Sequence, residues 1–571
     1  MSEYSFITLN IVALGKAILF AFFILFLIIL YTKNKPIYYL VLFTGSIFIF
    51  YLILSYPLQR MWWGNNGDEA FVFAYLAKVI HSGIWHDFYY AWLPNFYPPL
   101  YFWLTGLFSR LFTFSGIVAA KIGVLGTIIL WFIGSYWWQK IYWSRVKGEG
   151  VDERIFRKNW FWLLTPITFF LLLDFDAIIL KPYEAVSALF GVILIGMVGE
   201  SLDLKKWQAK HYLFLGLSAG LIFLTFYFWW FILIPVLIYL ALRSKNKTTN
   251  LSRVLWLGVI IFIIASPYLI PLLWSYIRYG SENWQAVFFT PKYLVTFLPW
   301  SALSWKAIIL ILGLFGLIFY RRHKFILANL AVLAVSYLYY FLNLIYFTLG
   351  QKPFQPIKPF LFLGTASLAL GAVYVLIQIY DRYLSKLKIS FQRSFIIVIV
   401  IIAIPFLPFG NFIQEDIVLY QIEADLKTPP IKGLADWIAK NLPDYQKKTW
   451  LTSGTPDLNA YLPLSYYLAY NPHFSHQASN YSERMQEIEL MVQASSAQEF
   501  CDIIQGGSPE KIDGLILYHN PNTDYYPLFF WADNYPNGGK ELELRLPAAL
   551  IVEKYWDKVY DENNWVIFLK K

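Results

Sequence analysis

The sequence predicts a polytopic α-helical membrane protein of about 11–13 helices that ends in a C-terminal α/β domain. Of its 571 residues, 58% are hydrophobic and only 14% are charged, whereas soluble domains carry about 25% charged residues. Residues 1–410 contain 33 Lys and Arg against 14 Asp and Glu, but residues 411–571 contain 13 against 22. The composition therefore divides the chain into a basic, apolar membrane part and an acidic tail.

The membrane part is predicted from apolar runs that each form a helix. Only helices and closed barrels satisfy their backbone groups in lipid, and the runs show no period-2 alternation. The first run is too long for the apolar segment of a signal peptide and follows no basic stretch, so we expect a retained helix. The runs lie near residues 11–31, 36–56, 98–113, 115–139, 159–174, 183–199, 212–226, 227–242, 254–274, 301–320, 325–347, 360–380 and 394–410.

Basic loops predict the orientation, because Lys and Arg gather on the cytoplasmic side. This rule places the loops 57–97, 276–300 and 348–359 outside, together with the chain after Gly410. One conflict arises at the basic segment Lys140–Lys158. The rule expects this segment inside, but two full crossings after residue 98 would place it outside. Either the run 98–113 or the run 159–174 is re-entrant, or this loop breaks the rule.

The tail, residues 411–571, mixes short apolar stretches with turn signals. Residues 449–452 and 514–518 predict strands, and residues 482–492 and 497–504 predict helices. Such alternation is typical of an α/β domain, and about 160 residues can bury their own core. We expect this domain to lie on the extracytoplasmic side.

Asp68 and Glu69 lie side by side in the first external loop, 57–97. A dehydrated carboxylate near a membrane costs about 3 kcal/mol, so the pair indicates a site unless the loop is simply hydrated. An ionised carboxylate can act as a general base on a hydroxyl. The spacing of Phe71–Ile80 predicts an amphipathic helix along the membrane surface, with Asp68 at its N-terminus.

Lys181, Tyr183 and Glu184 form a second predicted external cluster. Lys181 is a candidate for binding a phosphate, and the alternative is a local ion pair with Asp176 or Glu184. Tyr97, which like Tyr183 and Glu184 is a candidate for substrate binding, ends the first external loop directly before Pro98, and prolines are common where a helix begins.

Lys352 and Lys358 lie on a predicted outer loop, as do Arg278 and Lys292. Cations there run against the positive-inside rule. They predict binding of the phosphate of a lipid-linked substrate, and contact with lipid headgroups is an equally good alternative.

Several function classes find no support in the sequence. It contains no Walker A loop, dinucleotide fingerprint or H-E-x-x-H motif. The single cysteine, Cys501, excludes an intramolecular disulfide and predicts a buried thiol. The net charge of +10 comes from the membrane part, so nucleic acid is not an expected partner. No cofactor is required by the sequence; a divalent cation is possible, but no metal-binding residues are indicated.

Three stretches carry a resemblance to a known family. They are Asp68–Trp103, with Phe96-Tyr97-Pro98-Pro99-Leu100-Tyr101-Phe102-Trp103, and the tail segments 532–537 (Ala-Asp-Asn-Tyr-Pro-Asn) and 543–548 (Glu-Leu-Arg-Leu-Pro-Ala). The chain resembles the GT-C class of membrane glycosyltransferases, and most closely the galactan 5-O-arabinofuranosyltransferase family. The resemblance implies a polyprenyl-phosphate arabinofuranose donor, a galactan acceptor and a catalytic carboxylate at Asp68, with Glu69 as the neighbouring candidate.

The expected function is therefore an inverting glycosyltransferase of the plasma membrane, with its active site and tail extracytoplasmic. Its expected partners are a polyprenyl-phosphate sugar donor, a glycan acceptor and the lipid bilayer. A transporter or flippase of lipid-linked sugars is the alternative. Such transporters commonly show internal repeats, and none is visible in this sequence.

Overall fold

The structure is a computed structural model that describes residues 36–55, 67–146, 159–173, 175–282, 304–383, 431–506 and 510–571, with scattered residues between 10 and 28. The predicted run 394–410, most of the run 11–31, and Lys292 lie outside the described residues.

Each predicted apolar run within the described residues forms a helix, because its length of apolar sequence suits an α-helix in lipid. The helices are α1 (Pro36–Leu54), α2 (Gly67–Ser82), α3 (Leu100–Leu111), α4 (Gly116–Ser144, with π-helical turns), α5 (Asn159–Leu172), α6 (Phe175–Leu180), α7 (Pro182–Ser201), α8 (Ala209–Thr225), α9 (Trp230–Arg243), α10 (Lys247–Tyr279), α11 (Trp305–Phe319), α12 (Lys324–Thr348) and α13 (Phe360–Arg382).

Five of the described helices are long and apolar enough to cross a membrane: α4, α7, α10, α12 and α13. A sixth span results if α8 and α9 count as one, although their axes bend by 116° at the break between them. Helix α3 has 12 residues and is about 18 Å long, too short for the ~30 Å hydrocarbon core. Helix α5, with 14 residues, is also shorter than this core, so helix length does not decide which of the runs 98–113 and 159–174 is re-entrant, and the conflict at Lys140–Lys158 stays open.

Helices α11 and α13 pack with their backbones in close contact. A Cβ atom on Gly313 would meet the carbonyl oxygen of Leu368, and one on Gly371 would meet the carbonyl oxygen of Gly313. Small residues permit such close packing between membrane helices.

The tail is an α/β domain, as predicted. Its helices are α14 (Ile431–Asn441), α15 (Leu458–Tyr461), α16 (Tyr481–Gln493) and α17 (Ala497–Gly506), and its strands are β1 (Thr449–Thr452), β2 (Ser465–Tyr466), β3 (Gly514–Tyr518), β4 (Tyr525–Asp533), β5 (Gly539–Pro547), β6 (Trp556–Glu562) and β7 (Trp565–Lys570). Five strands form one sheet in the order β2-β1-β3-β7-β6, in which β2, β1 and β3 are parallel and β3, β7 and β6 are antiparallel. Strands β4 and β5 form a separate hairpin.

The two faces of the tail sheet belong to different cores. Trp450 and Ile516 join the core that continues into the membrane part, whereas the neighbouring Leu451 and Leu515 join a core of the tail itself. The tail core also holds Cys501, which is buried as predicted. One face of the sheet therefore fastens the tail to the membrane part.

Helix α2 corrects one sequence prediction. Every residue from Ala70 to Ile80 is buried, so α2 is not an amphipathic helix on the membrane surface. It packs against α3, α4 and the tail helix α15, and the ring of Phe71 stacks on that of Phe474 at 5.3 Å. The prediction was wrong because the local sequence does not show that the tail covers the outer side of this helix.

Candidate active site

Asp68 lies in the first turn of α2, and its Oδ1 is 2.6 Å from Nζ of Lys181. Lys181 is the residue directly before α7, and Pro182 occupies the first turn of that helix. Proline suits this position because its ring fixes a helical φ and it lacks an N–H that would otherwise go unbonded. The two helix starts therefore bring the predicted base and a predicted phosphate ligand together.

A second ion pair lies beside the first. Nζ of Lys358 is 2.7 Å from Oε1 of Glu184, so Glu184, predicted as a local partner of Lys181, pairs with Lys358. The hydroxyl of Tyr97 donates to the same oxygen at 3.2 Å, and the hydroxyl of Tyr183 donates to that of Tyr97 at 3.1 Å. Glu184 is only 2% exposed, so these contacts replace the water that its carboxylate has lost.

The tail adds a residue that the sequence reasoning missed. His473 lies in a short 3₁₀ turn, Pro472–Phe474, where Oδ1 of Asn471 accepts its backbone N–H at 3.0 Å. Burial, and then the positive charge of Lys181, lower the pKa of His473 to about 3. The imidazole is therefore neutral at physiological pH. A lone histidine far along the chain carries no local signal that could have placed it near Asp68.

The charges of the site keep Asp68 ionised. Burial acts to raise the pKa of Asp68, but attraction to Lys181 and the hydrogen bond from it outweigh burial and leave the pKa below its usual range. The Asp68 side chain is still 35% exposed. Burial raises the pKa of Tyr97 well above its ordinary value, so its hydroxyl stays a hydrogen-bond donor. The site thus offers an accessible carboxylate among donors.

Two predicted site residues lie in other surroundings. Glu69 is 2% exposed and lines a small cavity together with Tyr51 and Tyr101. Lys352 is half exposed and pairs with Asp533 at the end of β4. Of the two adjacent carboxylates, Asp68 is therefore the one that a substrate can reach, and Lys352 belongs to the contact between the membrane part and the tail.

A divalent cation stays possible from the sequence, and no preformed site for one is found among the described residues. Asp68 and Glu184 each lie within 2.7 Å of a Lys ammonium, and within the described ranges no group of three His, Cys, Asp or Glu side chains could hold a metal ion.

No protein-family model matches the chain, and no curated protein matches it. Among solved structures, it is similar to the crystal structure of the oligosaccharyltransferase of Archaeoglobus fulgidus in complex with Zn and sulfate, with a TM-score of 0.43, 11% identity, and coverage of 82% of this chain and 67% of that chain. Another is the oligosaccharyltransferase AglB of the same organism in complex with an inhibitory peptide and a dolichol-phosphate, with a TM-score of 0.43, 12% identity, and coverage of 89% and 76%. At these levels the likeness assigns neither a family nor an activity.

Proposed function

We propose that this chain is an inverting glycosyltransferase that takes its sugar from a polyprenyl-phosphate donor. The observation that carries the proposal is the partly exposed carboxylate of Asp68, held 2.6 Å from the Lys181 ammonium where the apolar, membrane-length helix α7 begins. A sugar transferase needs a base for the acceptor hydroxyl and cations for the leaving phosphate. Both are present here, and a lipid carrier would be held by the bilayer.

Lys181 and Lys358 are the groups that would bind the donor phosphate. An ammonium has three N–H donors, so each lysine can bond a phosphate oxygen without leaving its carboxylate. Their side chains are 15% and 18% exposed, and partial dehydration strengthens charge-assisted hydrogen bonds. Lys352, which pairs with Asp533, is the least suited of the three predicted lysines.

The reaction is a single in-line displacement. The acceptor hydroxyl oxygen forms a bond to the anomeric carbon while Asp68 takes its proton. The bond from that carbon to the phosphate oxygen breaks, and polyprenyl phosphate leaves with the electron pair. Because attack comes from the side opposite the leaving group, the anomeric configuration inverts. An anionic donor near Lys181 also weakens the hold of that ammonium on Asp68, which raises the basicity of the carboxylate.

The proposed sugar is arabinofuranose and the proposed acceptor a cell-envelope galactan, outside the plasma membrane. The support is the resemblance of the segments 68–103, 532–537 and 543–548 to the galactan 5-O-arabinofuranosyltransferase family.

The test is transfer of label from polyprenyl-phosphate arabinofuranose to a galactan acceptor in membranes that contain the chain. Asp68→Asn keeps the size of the side chain but removes the proton acceptor, so we expect a loss of about 100-fold or more in rate at an unchanged protein level. Glu69→Gln, a change in the adjacent carboxylate, is the matched variant and should retain more activity. Near-normal transfer by Asp68→Asn would show that another residue acts as the base.

A flippase of lipid-linked sugars is the second candidate, and one observation favours it. The break between α8 and α9 lies at the site: the ring of Phe226 is 4.9 Å from Nζ of Lys358, and broken helices are typical of transporter binding sites. Proteoliposomes that carry the donor in one leaflet separate the two functions. Label that crosses the bilayer but is never attached to acceptor would favour the flippase.

A further inference from the structure

The β4–β5 hairpin has one buried face and one outward face. Tyr526, Leu528 and Phe530 are buried in the tail core. Successive side chains of a strand point to opposite faces, so Phe529 and Trp531 lie on the other side, where both are partly exposed. Pro527 on this side is buried and Gly454 lies against Phe529, so the open part of the outward face is its end at Trp531.

At one end of the outward face, a carboxylate stands beside an aromatic ring. Trp531 and Glu541 are partners in the strand pairing. The hydroxyl of Tyr470 donates to Oε1 of Glu541 at 3.3 Å, and the backbone N–H of Trp531 donates to the carbonyl oxygen of Tyr470 at 2.9 Å. We refer to Tyr470, Trp531 and Glu541 as the Trp531 patch.

The Trp531 patch is connected to the candidate active site along the chain. Tyr470 lies three residues before His473. The hairpin end rests on the loop before α13, since Asp533 pairs with Lys352 and the Tyr535 hydroxyl donates to the carbonyl oxygen of Gln351 at 3.1 Å. Lys358 follows on that same loop. The patch therefore adjoins both segments that bring His473 and Lys358 to Asp68.

We propose that the Trp531 patch is a subsite for the acceptor glycan, binding a sugar of that chain other than the one that reacts; this rests on the proposed function. The apolar C–H face of a sugar ring packs on an aromatic ring, and an ionised carboxylate accepts strong hydrogen bonds from its hydroxyls. Glu541 would repel the phosphate of the donor. The patch therefore suits a neutral polyhydroxylated chain that leads towards Asp68.

The test is titration of the purified full chain with a galactofuranosyl tetrasaccharide. Trp531→Ala and Glu541→Gln should each weaken binding about tenfold or more, in the range of an interface anchor, whereas Trp531→Phe keeps a ring and should lose less. Tyr525→Ala is the matched control, because Tyr525 is a partly exposed aromatic on the same strand, roughly 20 Å away at ~3.3 Å per residue. It should leave binding unchanged.

Equal binding by the wild-type and Trp531→Ala chains, or no binding by the wild type, would overturn the subsite. A thermal unfolding curve that matches the wild type shows that a variant is folded. Transfer of label from polyprenyl-phosphate arabinofuranose to the tetrasaccharide by the wild type keeps the two proposals apart. Binding of the tetrasaccharide without transfer would count against the proposed function and not against the patch, whereas transfer with equal binding by the wild-type and Trp531→Ala chains would count against the patch alone.

Discussion

Glu184 is a buried carboxylate whose ion-pair partner is Lys358. It is 2% exposed and accepts from Lys358 at 2.7 Å, and removal of one member of a buried ion pair typically costs 3–5 kcal/mol. We expect Lys358→Gln to lower the thermal stability and to raise the donor KM about tenfold or more. The double variant Lys358→Gln with Glu184→Gln should recover stability, because no unpaired charge remains, but not donor binding. If the double variant recovers both stability and donor binding, Lys358 has only a structural role.

Asp87 gives the stability of the folded chain a pH dependence. It is fully buried and Oδ1 accepts the N–H groups of Tyr89 and Tyr90; burial raises its pKa to about 7. The folded state then binds this proton more tightly than the unfolded state does. The contribution of Asp87 to stability is therefore greatest below about pH 4 and falls by up to roughly 4 kcal/mol as the pH rises to about 7.

Asp87→Asn should remove that decline, because the amide oxygen still accepts both N–H groups but does not ionise. The measurement is the free energy of unfolding of both chains between pH 4 and 8. Asp457, whose pKa burial also raises to about 7, titrates in both chains, so the difference between the two curves isolates Asp87. Parallel curves would contradict the assignment.

At the level of residues, the sequence named the charged candidates that the structure brings together, but it did not predict how they pair. Asp68, Lys181, Glu184 and Lys358 were all candidates, because charged residues beside apolar runs are costly unless they have a use. Their pairing depends on which helix starts meet in space, and no local pattern encodes that. His473 could not be found at all, since it joins the site only through the packing of the tail.

Among the elements, the contact between α11 and α13 depends on small residues. A Cβ atom on Gly371 would meet the carbonyl oxygen of Gly313 and lie 2.9 Å from Cγ of Leu317. Gly371→Ala must push the helices apart, and overpacking costs about 1–3 kcal/mol. We expect a lower midpoint of thermal unfolding in detergent.

Gly258→Ala is the control for this change. Gly258 lies within α10, where an added Cβ atom would meet nothing within 4 Å. The substitution should therefore leave the midpoint of thermal unfolding unchanged or raise it slightly. If Gly371→Ala and Gly258→Ala unfold alike, the close contact contributes nothing to stability.

The sequence predicted the existence of most described elements but not their exposure. Long apolar runs have one stable form in lipid, so α4, α7 and α10 followed from length alone. The strands at 449–452 and 514–518 also formed where alternation and turn signals indicated. By contrast, the burial of α2 and the sharp bend between α8 and α9 depend on partners from distant parts of the chain.

For the whole molecule, the orientation of the tail remains a prediction. The charge asymmetry of the chain favours an external tail. Cys501 is buried, so a cysteine introduced at an exposed position can be labelled against a low background. Glu562→Cys in the tail should react with a membrane-impermeant maleimide on intact cells. Lys205→Cys should react only after permeabilisation, because Lys205, Lys206 and Lys210 form a basic loop that the positive-inside rule places in the cytoplasm. The reverse pattern would overturn the orientation.

The contribution of the tail to the site also has a consequence for biogenesis. Asp68, Lys181 and Lys358 belong to the membrane part, whereas His473 and the ring that stacks on Phe71 come from the tail. Translation runs from the N-terminus, so the ribosome delivers the helices to the bilayer before the residues that complete the centre exist. A nascent chain therefore carries Asp68, Lys181 and Lys358 in its inserted helices before it carries His473. Under the proposed function, the site is complete only after the tail has been synthesised and has folded onto the membrane part.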